Sequence, residues 1–110
     1  MDKEMLRHEQ GENIAVMVND ELQLSNAMYG WFNTPMEGLG VLQKECYEAK
    51  KGWNGIWKAF DDFQYQLCQP PSDERAAAAM KMKLRTMETI RELVQVAAMC
   101  QKFIDSEVLW

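Results

Sequence analysis

The 110-residue chain lacks the features that mark membrane and secreted proteins. It has no run of 18 apolar residues, and its first residues, MDKEMLRHEQGEN, are polar. A transmembrane helix needs about 20 apolar residues and a signal peptide needs an apolar core, so we expect neither. The sequence therefore predicts a cytoplasmic protein without a membrane partner.

Histidine and cysteine are also scarce. His8, the only histidine, lies in the polar N-terminal stretch and is a poor candidate for catalysis. The three cysteines, Cys46, Cys68 and Cys100, are odd in number and form no CxxC pair. We expect buried or half-buried free thiols in a reducing compartment rather than zinc ligands or disulfides.

Positive charge is in short supply, because 17 acidic residues outnumber 12 basic ones and the formal net charge is -5. A nucleic-acid-binding surface needs a basic patch or stripe, so we expect no nucleic-acid partner. Lys81, Lys83 and Arg85 form a local cluster, but alternation by two places neighbouring charges on different sides of a helix. A solvated helix surface is the expected role of these three residues.

Strand signals are absent as well, since the chain shows neither period-two alternation of apolar residues nor a hairpin dipeptide. Hydrophobic residues make up 47% of the chain, which is ordinary for a globular protein and argues against disorder. We therefore expect an all-α fold, a small bundle of four to five helices that forms one domain over residues 1–110. Residues 1–11 are expected to be a flexible N-terminal segment.

Apolar spacing and capping residues predict the first two helices. Apolar residues recur at intervals of three and four over residues 12–29, which indicates an amphipathic helix ended by Gly30. The second helix begins with Thr34 as N-cap, Pro35 at the first helical position and Glu37 closing a capping box. This helix is expected to run to about residue 51.

Two glycines and two prolines divide the rest of the chain. Gly52 and Gly55 each cost a helix up to about 1 kcal/mol relative to alanine, so we expect a break or kink there. A short helix with an aromatic face follows over residues 56–67. Ser72 then caps a last helix over residues 73–105. That helix is on the order of 50 Å long, so its first turns are expected to extend past the core or to pack on a second subunit.

The last helix carries the most unusual pattern in the chain. From Leu93 to Cys100 it is apolar on almost every side except at Gln95, which predicts a helix enclosed by other helices. Glu88, Glu92 and Gln95 follow one another at spacings of four and three, so they form one polar stripe along it. A buried carboxylate must be paired, protonated or bound to a metal.

A second acidic pair lies on the predicted second helix. Glu45 and Glu48 are three residues apart and therefore share one helix face. If this face looks across at Glu92 and Gln95, the three carboxylates repel one another, and Mg²⁺ is the hard cation that resolves the conflict. The alternative for each motif taken singly is a solvated helix face, because ExxE is common there.

Two stretches, EGLGVLQKECYEAKKGW and RELVQVAAMCQKFID, resemble the MazG-like all-α nucleoside triphosphate pyrophosphohydrolases, particularly the short members of phages and prophages. The resemblance spans about residues 31–105. The family pattern is ExxE on one helix, which Glu45 and Glu48 match, and ExxD on a later one, which Glu92 opens. It implies Mg²⁺-dependent hydrolysis of an NTP or dNTP to the monophosphate and pyrophosphate.

Carried over by position, the resemblance implies that Glu45, Glu48 and Glu92 are catalytic. The implied metal ligands are the same three residues together with Gln95. The implied cofactor is Mg²⁺, with Mn²⁺ as a second candidate. Relatives are dimers or tetramers, so we expect a homodimer or homotetramer that takes a nucleoside triphosphate as its partner.

Further residues are candidates for binding the nucleotide. In relatives, tryptophans before and after the ExxE helix contact the base, which points to Trp31 and to Trp53 or Trp57. The alternative is that each packs in the bundle core or a subunit interface. Lys83 and Arg91 are candidates for phosphate contacts, with a surface role as the alternative.

The chain departs from the family pattern at two positions. Gln95 stands where the family has aspartate, and Lys44 stands where many relatives have another glutamate. A glutamine carbonyl can bind a hard cation but brings no charge, so metal affinity should fall. The alternative function is therefore a catalytically degenerate MazG-like bundle that acts as a nucleotide-binding or protein-interaction module.

Overall fold

Three long α-helices account for most of the chain. The computed structural model describes residues 2–110, in the order α1 (Lys3–Tyr29), α2 (Pro35–Leu67), α3 (Asp73–Ser106) and a short 3₁₀ helix, Glu107–Leu109. Residues 2–110 contain no strand, and no helix within them is both long and apolar enough to cross a membrane. The all-α class is confirmed, with three long helices in place of the four to five expected.

Three of the predicted helix ends are confirmed by backbone geometry and hydrogen bonds. Gly30 ends α1 with a φ of 72°, a left-handed conformation that glycine adopts without a steric penalty. Thr34 Oγ1 accepts a hydrogen bond from the Glu37 N–H at 3.1 Å, and Glu37 reaches back to the Asn33 N–H at 3.2 Å. Ser72 Oγ accepts from the Glu74 N–H at 3.2 Å at the start of α3.

Helix α1 begins earlier than the apolar spacing predicted. Asp2 is its N-cap, with the side chain accepting a hydrogen bond from the Glu4 N–H at 3.0 Å. Residues 3–11 are part of α1, and this cap satisfies one of the free N–H groups at the helix start. Met1 lies outside the described residues.

The expected break at Gly52 and Gly55 was wrong, because α2 continues through both glycines. Gly52 serves instead for close packing against α3. A Cβ atom on Gly52 would lie 2.6 Å from Thr89 Oγ1 and 3.2 Å from Thr89 Cβ, which is too close for any other residue to fit unchanged. Thr89 is buried, and its hydroxyl donates to the Arg85 carbonyl at 2.8 Å.

The described chain divides into two compact units. The first comprises residues 2–45 and Val94–Trp110, and the second comprises Cys46–Leu93. The core of the first unit is formed by Leu22, Phe32, Ala98 and Met99, with four half-buried residues packed against it: Val18, Val41, Leu42 and Phe103. This core is small, and two polar side chains, Lys102 and Ser106, are more deeply enclosed than most of its members.

The second unit is a pair of helical segments joined by residues 68–72. Its α2 seam consists mainly of small side chains at alternating spacings of three and four, namely Ala49, Gly52, Ile56 and Ala59. Arg75 closes the turn, because its guanidinium donates to the carbonyls of Gln66, Leu67 and Gln69 at the end of α2. The Leu67 carbonyl, at the last residue of α2, would otherwise lack a helical partner.

The segment of α3 from residue 93 to 100 is less enclosed than expected. Ala98 and Met99 are buried, but Leu93 is 54% exposed and Cys100 is also exposed. Only one side of the segment packs on other parts of the chain, so the prediction of an enclosed helix was wrong. Cys46 and Cys68 are free and exposed too, so the thiols are free as expected but not buried.

The two glycines of the second unit allow a stability test. We expect Gly52→Ala to destabilise the protein by about 1–3 kcal/mol, because the new methyl group overpacks against Thr89. Gly55→Ala is the matched control on the same helix, since its Cβ would meet only Arg85 Cδ at 4.0 Å. We expect Gly55→Ala to stabilise by about 0.5–1 kcal/mol through helix propensity. Urea unfolding of both variants checks this, and equal effects of the two would contradict the close-packing role of Gly52.

Candidate functional site

The first unit contains a cavity of about 550 Å³. It is bordered by the end of α1, the connection to α2, the first turns of α2 and the last part of α3. Three carboxylates (Glu21, Glu37, Glu45), two lysines (Lys44, Lys102) and the Gln95 amide share its wall with apolar side chains. A volume of this size is in the range of small-molecule sites.

Lys102 is the residue that gives this cavity its chemical character. Its side chain is only 2% exposed, and Nζ donates a hydrogen bond to Ser25 Oγ at 2.7 Å. Nζ also lies 5.2 Å from the centroid of the Phe32 ring, within the range of a cation–π contact. The ammonium group is therefore held by α1 and by the connection that follows it.

Burial lowers the pKa of Lys102, because the charged ammonium is deprived of water, and the negative charge of Glu37 acts in the opposite direction. A cation in such a place interacts strongly with an anion, since little water screens the contact. The arrangement suits the binding of an anionic group at Lys102, beside the amide of Gln95.

Lys102 was not among the residues singled out from the sequence. Lysine side chains are most often solvated, so a lysine near the end of a helix attracts no notice. Its spacing was nevertheless informative. Lys102 follows Gln95 by seven residues and Met99 by three, which continues the polar stripe of Glu92 and Gln95 along the same side of α3.

Two of the predicted metal ligands come together in the first unit. Glu45 on α2 and Gln95 on α3 are both half-buried, and both line the cavity that contains Lys102. The chain thus brings one residue of each predicted motif to the same place. The amide of Gln95 can donate or accept a hydrogen bond there, and Glu45 can accept one.

The other two predicted ligands belong to the second unit. Glu48 on α2 and Glu92 on α3 are both half-buried. Glu88, which opens the polar stripe, is exposed. The stripe therefore becomes less exposed from Glu88 toward Gln95.

The acidic residues were also tested as a metal centre. Within residues 2–110, no three side chains of histidine, cysteine, aspartate or glutamate form a group that could hold a metal ion. The donors present therefore do not fit a three-carboxylate Mg²⁺ centre. The metal-ligand roles of Glu45, Glu48, Glu92 and Gln95 stay predictions.

The tryptophans considered for base binding lie on exposed surfaces. Trp31, Trp53 and Trp57 are 46%, 54% and 52% exposed, and none of them lines the first-unit cavity. Trp53 and Trp57 contact each other edge to face, with ring centroids 6.1 Å apart, and Trp57 meets Phe60 in the same way at 5.6 Å. Trp53, Trp57 and Phe60 thus contact one another in a row along α2. The role of the three tryptophans in binding a base stays a prediction.

The two predicted phosphate contacts lie elsewhere on α3. Lys83 is exposed beside Phe63, Met82 and Met87 in a shallow, mainly apolar depression of the second unit. Arg91 is exposed on the same helix. Neither residue lines the first-unit cavity, where Lys102 and Lys44 are the basic side chains.

The burial of Lys102 predicts a pH dependence of stability. The pKa of Lys102 in the folded protein lies below its ordinary value of 10.5. At pH values between the folded pKa and 10.5, the unfolded chain binds more protons than the folded chain, so stability rises with pH. We compare the unfolding free energy of wild type with that of Lys102→Met. We expect the difference, wild type minus variant, to increase as the pH rises toward 10.5. Urea unfolding at a series of pH values measures it, with Lys44→Met as the control for losing a lysine charge at this cavity. A difference that falls with rising pH would contradict the burial of the ammonium.

A comparison of the chain with protein families, with curated proteins and with solved structures finds no match. The fold and the cavity therefore rest on the chain's own geometry, and the likeness to the MazG-like enzymes rests on the motifs described above.

Proposed function

We propose that the protein hydrolyses a nucleoside triphosphate, an NTP or a dNTP, to the monophosphate and pyrophosphate, with the substrate bound in the first-unit cavity. The observation that carries the proposal is the meeting of Glu45, Gln95 and Lys102 at one cavity. Glu45 and Gln95 come from the two motifs that resemble MazG-like enzymes. Lys102 adds the buried cation that an anionic substrate requires.

The cavity offers separate surfaces for the two ends of a nucleotide. Leu24, Met28 and Tyr29 provide an apolar wall on α1 suited to a base. Lys102 provides an ammonium in a poorly hydrated place, where its contact with a phosphate oxygen is strong. The ligand would thus be bound by both apolar burial and charge.

The chemistry assigned to the chain is simple. A water molecule attacks the α-phosphorus, the bond from this phosphorus to the bridging oxygen breaks, and pyrophosphate leaves with that oxygen. Glu45 accepts a hydrogen bond from the attacking water, orients it and takes up its proton, and Lys102 offsets the charge that develops on the leaving group. Mg²⁺, or Mn²⁺ in its place, remains the cofactor that the resemblance implies.

Pyrophosphate release from a panel of NTPs and dNTPs, with Mg²⁺ or Mn²⁺, tests the proposal. We expect turnover of at least one nucleotide by wild type and a loss of about 10²-fold or more in Glu45→Gln, since general-base and positioning contributions are of that order. Glu107→Gln, at an exposed position on the 3₁₀ helix, is the matched control. The absence of turnover with every nucleotide and both metals would overturn hydrolysis.

A second candidate function is nucleotide binding without hydrolysis. It is favoured by the neutral Gln95 and by the finding that no three-acid group within residues 2–110 could hold a metal. Thermal unfolding with added nucleotides separates the two candidates. A stabilisation by nucleotide that Lys102→Met abolishes, without any pyrophosphate release, would select the binding module.

Self-association is part of the same proposal. Within residues 2–110, 25 large hydrophobic side chains are exposed, whereas eight hydrophobic residues are buried and four of these are alanines. Exposed apolar surface on this scale is typical of an interaction surface. We expect a homodimer or homotetramer, and light scattering at micromolar concentration measures it. A mass of one chain, 12.8 kDa, would contradict this expectation.

A further inference from the structure

Basic residues are unevenly distributed between the two units. The second unit, Cys46–Leu93, has eight basic and seven acidic residues, a formal charge of +1. The remaining residues have four basic and ten acidic ones, a formal charge of -6. The chain as a whole is acidic, but the second unit is not, and positive charge can concentrate there.

Four of these basic side chains surround one pocket of about 440 Å³ in the second unit. We call it the basic pocket: Lys51 and Lys58 from α2, Lys81 and Arg85 from α3, with Asn54, Gly55 and Ala59. No acidic residue of the described chain lines it. A multiply charged anion in the basic pocket would contact several cations at once.

Helix geometry explains why these residues meet. Lys51, Asn54 and Lys58 recur at spacings of three and four along α2, and Lys81 and Arg85 are four apart on α3, so each set shares one helix face. Gly55 and Ala59 keep the space between the sets open. A Cβ on Gly55 would lie 4.0 Å from Arg85 Cδ, which places the stem of Arg85 directly over this glycine.

We propose that the basic pocket binds a small anion that carries two or more adjacent phosphate groups. The ammonium groups of Lys58 and Lys81 act as point charges for phosphate oxygens, the Arg85 guanidinium can bind two oxygens at once, and the Asn54 amide adds a neutral donor. Lys51 also lies 5.9 Å from the Tyr47 ring centroid, a weak contact at an exposed site that does not neutralise its charge.

The size of the basic pocket favours several phosphates over one. Lys51 and Lys58 are seven residues apart, which is roughly 10 Å along the helix axis. A chain of two or three phosphates matches this span better than a single phosphate, which is only a few ångströms across. A nucleic-acid strand is disfavoured, because none of the described side chains that line the basic pocket is aromatic and could stack on a base.

The test is isothermal titration of the full-length protein with tripolyphosphate, pyrophosphate and inorganic phosphate, without added metal. We expect tripolyphosphate to bind most tightly and inorganic phosphate most weakly. Lys58→Gln combined with Arg85→Gln should weaken tripolyphosphate binding about five- to thirtyfold, as expected for two charge contacts of about 0.5–1 kcal/mol each. Lys50→Gln combined with Lys3→Gln removes the same charge at exposed positions outside the basic pocket and should leave binding within about twofold.

Two further measurements make the outcome decisive. If Lys102→Met loses tripolyphosphate binding while the Lys58→Gln and Arg85→Gln pair retains it, the anion occupies the first-unit cavity and the proposal is overturned. A short single-stranded oligonucleotide that binds more tightly than tripolyphosphate would also overturn it. If the first pair of substitutions unfolds the protein by circular dichroism, Lys51→Gln combined with Lys81→Gln replaces it. This result does not depend on nucleotide hydrolysis, which is tested separately by pyrophosphate release from wild type and Glu45→Gln.

Discussion

The buried ammonium group of Lys102 is the constraint on which the first unit depends. A charged group taken out of water is costly unless it is hydrogen-bonded, and Lys102 donates to Ser25 Oγ on α1 while facing the Phe32 ring. Ser106, one turn further along α3, donates to the Lys102 carbonyl and accepts from the Phe32 N–H. Polar contacts thus tie α1, the connection and α3 together where only four apolar residues form the core. The same contacts leave an ammonium beside a cavity, so the feature that specifies this packing also supplies the charge that an anionic ligand would meet.

Sequence reasoning succeeded where one residue acts through its own neighbours in the chain. A capping hydroxyl or a glycine with positive φ affects groups within four residues, and for this reason Gly30, Thr34 and Ser72 identified three helix ends correctly. It failed where the decisive partner is distant in sequence. Gly52 was interpreted through helix propensity, as a break, yet its function is to admit Thr89, which lies 37 residues away. Propensity costs about 1 kcal/mol at such a position, and close packing of two helices outweighs it.

The candidate site shows the same difference between what local spacing predicts and what distant packing decides. Spacing identified Glu45 and Gln95, because residues three, four and seven apart share a helix face, and both line the first-unit cavity. Spacing alone did not identify Lys102, because the burial of a lysine depends on which elements pack around it. The grouping of Lys81 and Arg85 with Lys58 was missed for a similar reason. Along α3 these charges looked like a solvated surface, and only the neighbouring α2 segment turns two of them into the border of a pocket.

The small side chains of the second unit also explain why large apolar side chains of that unit are exposed. Ala49, Gly52 and Ala59 allow α2 to lie close to α3, and a seam of small residues has no room for large ones. Trp53, Trp57 and Leu84 therefore lie beside the seam, where each remains more than half exposed. Larger side chains in the seam would bury more area within one chain but would separate the helices and alter the basic pocket that both helices border. The exposure of these side chains of the second unit is thus a consequence of close helix packing, and the proposed self-association would cover them.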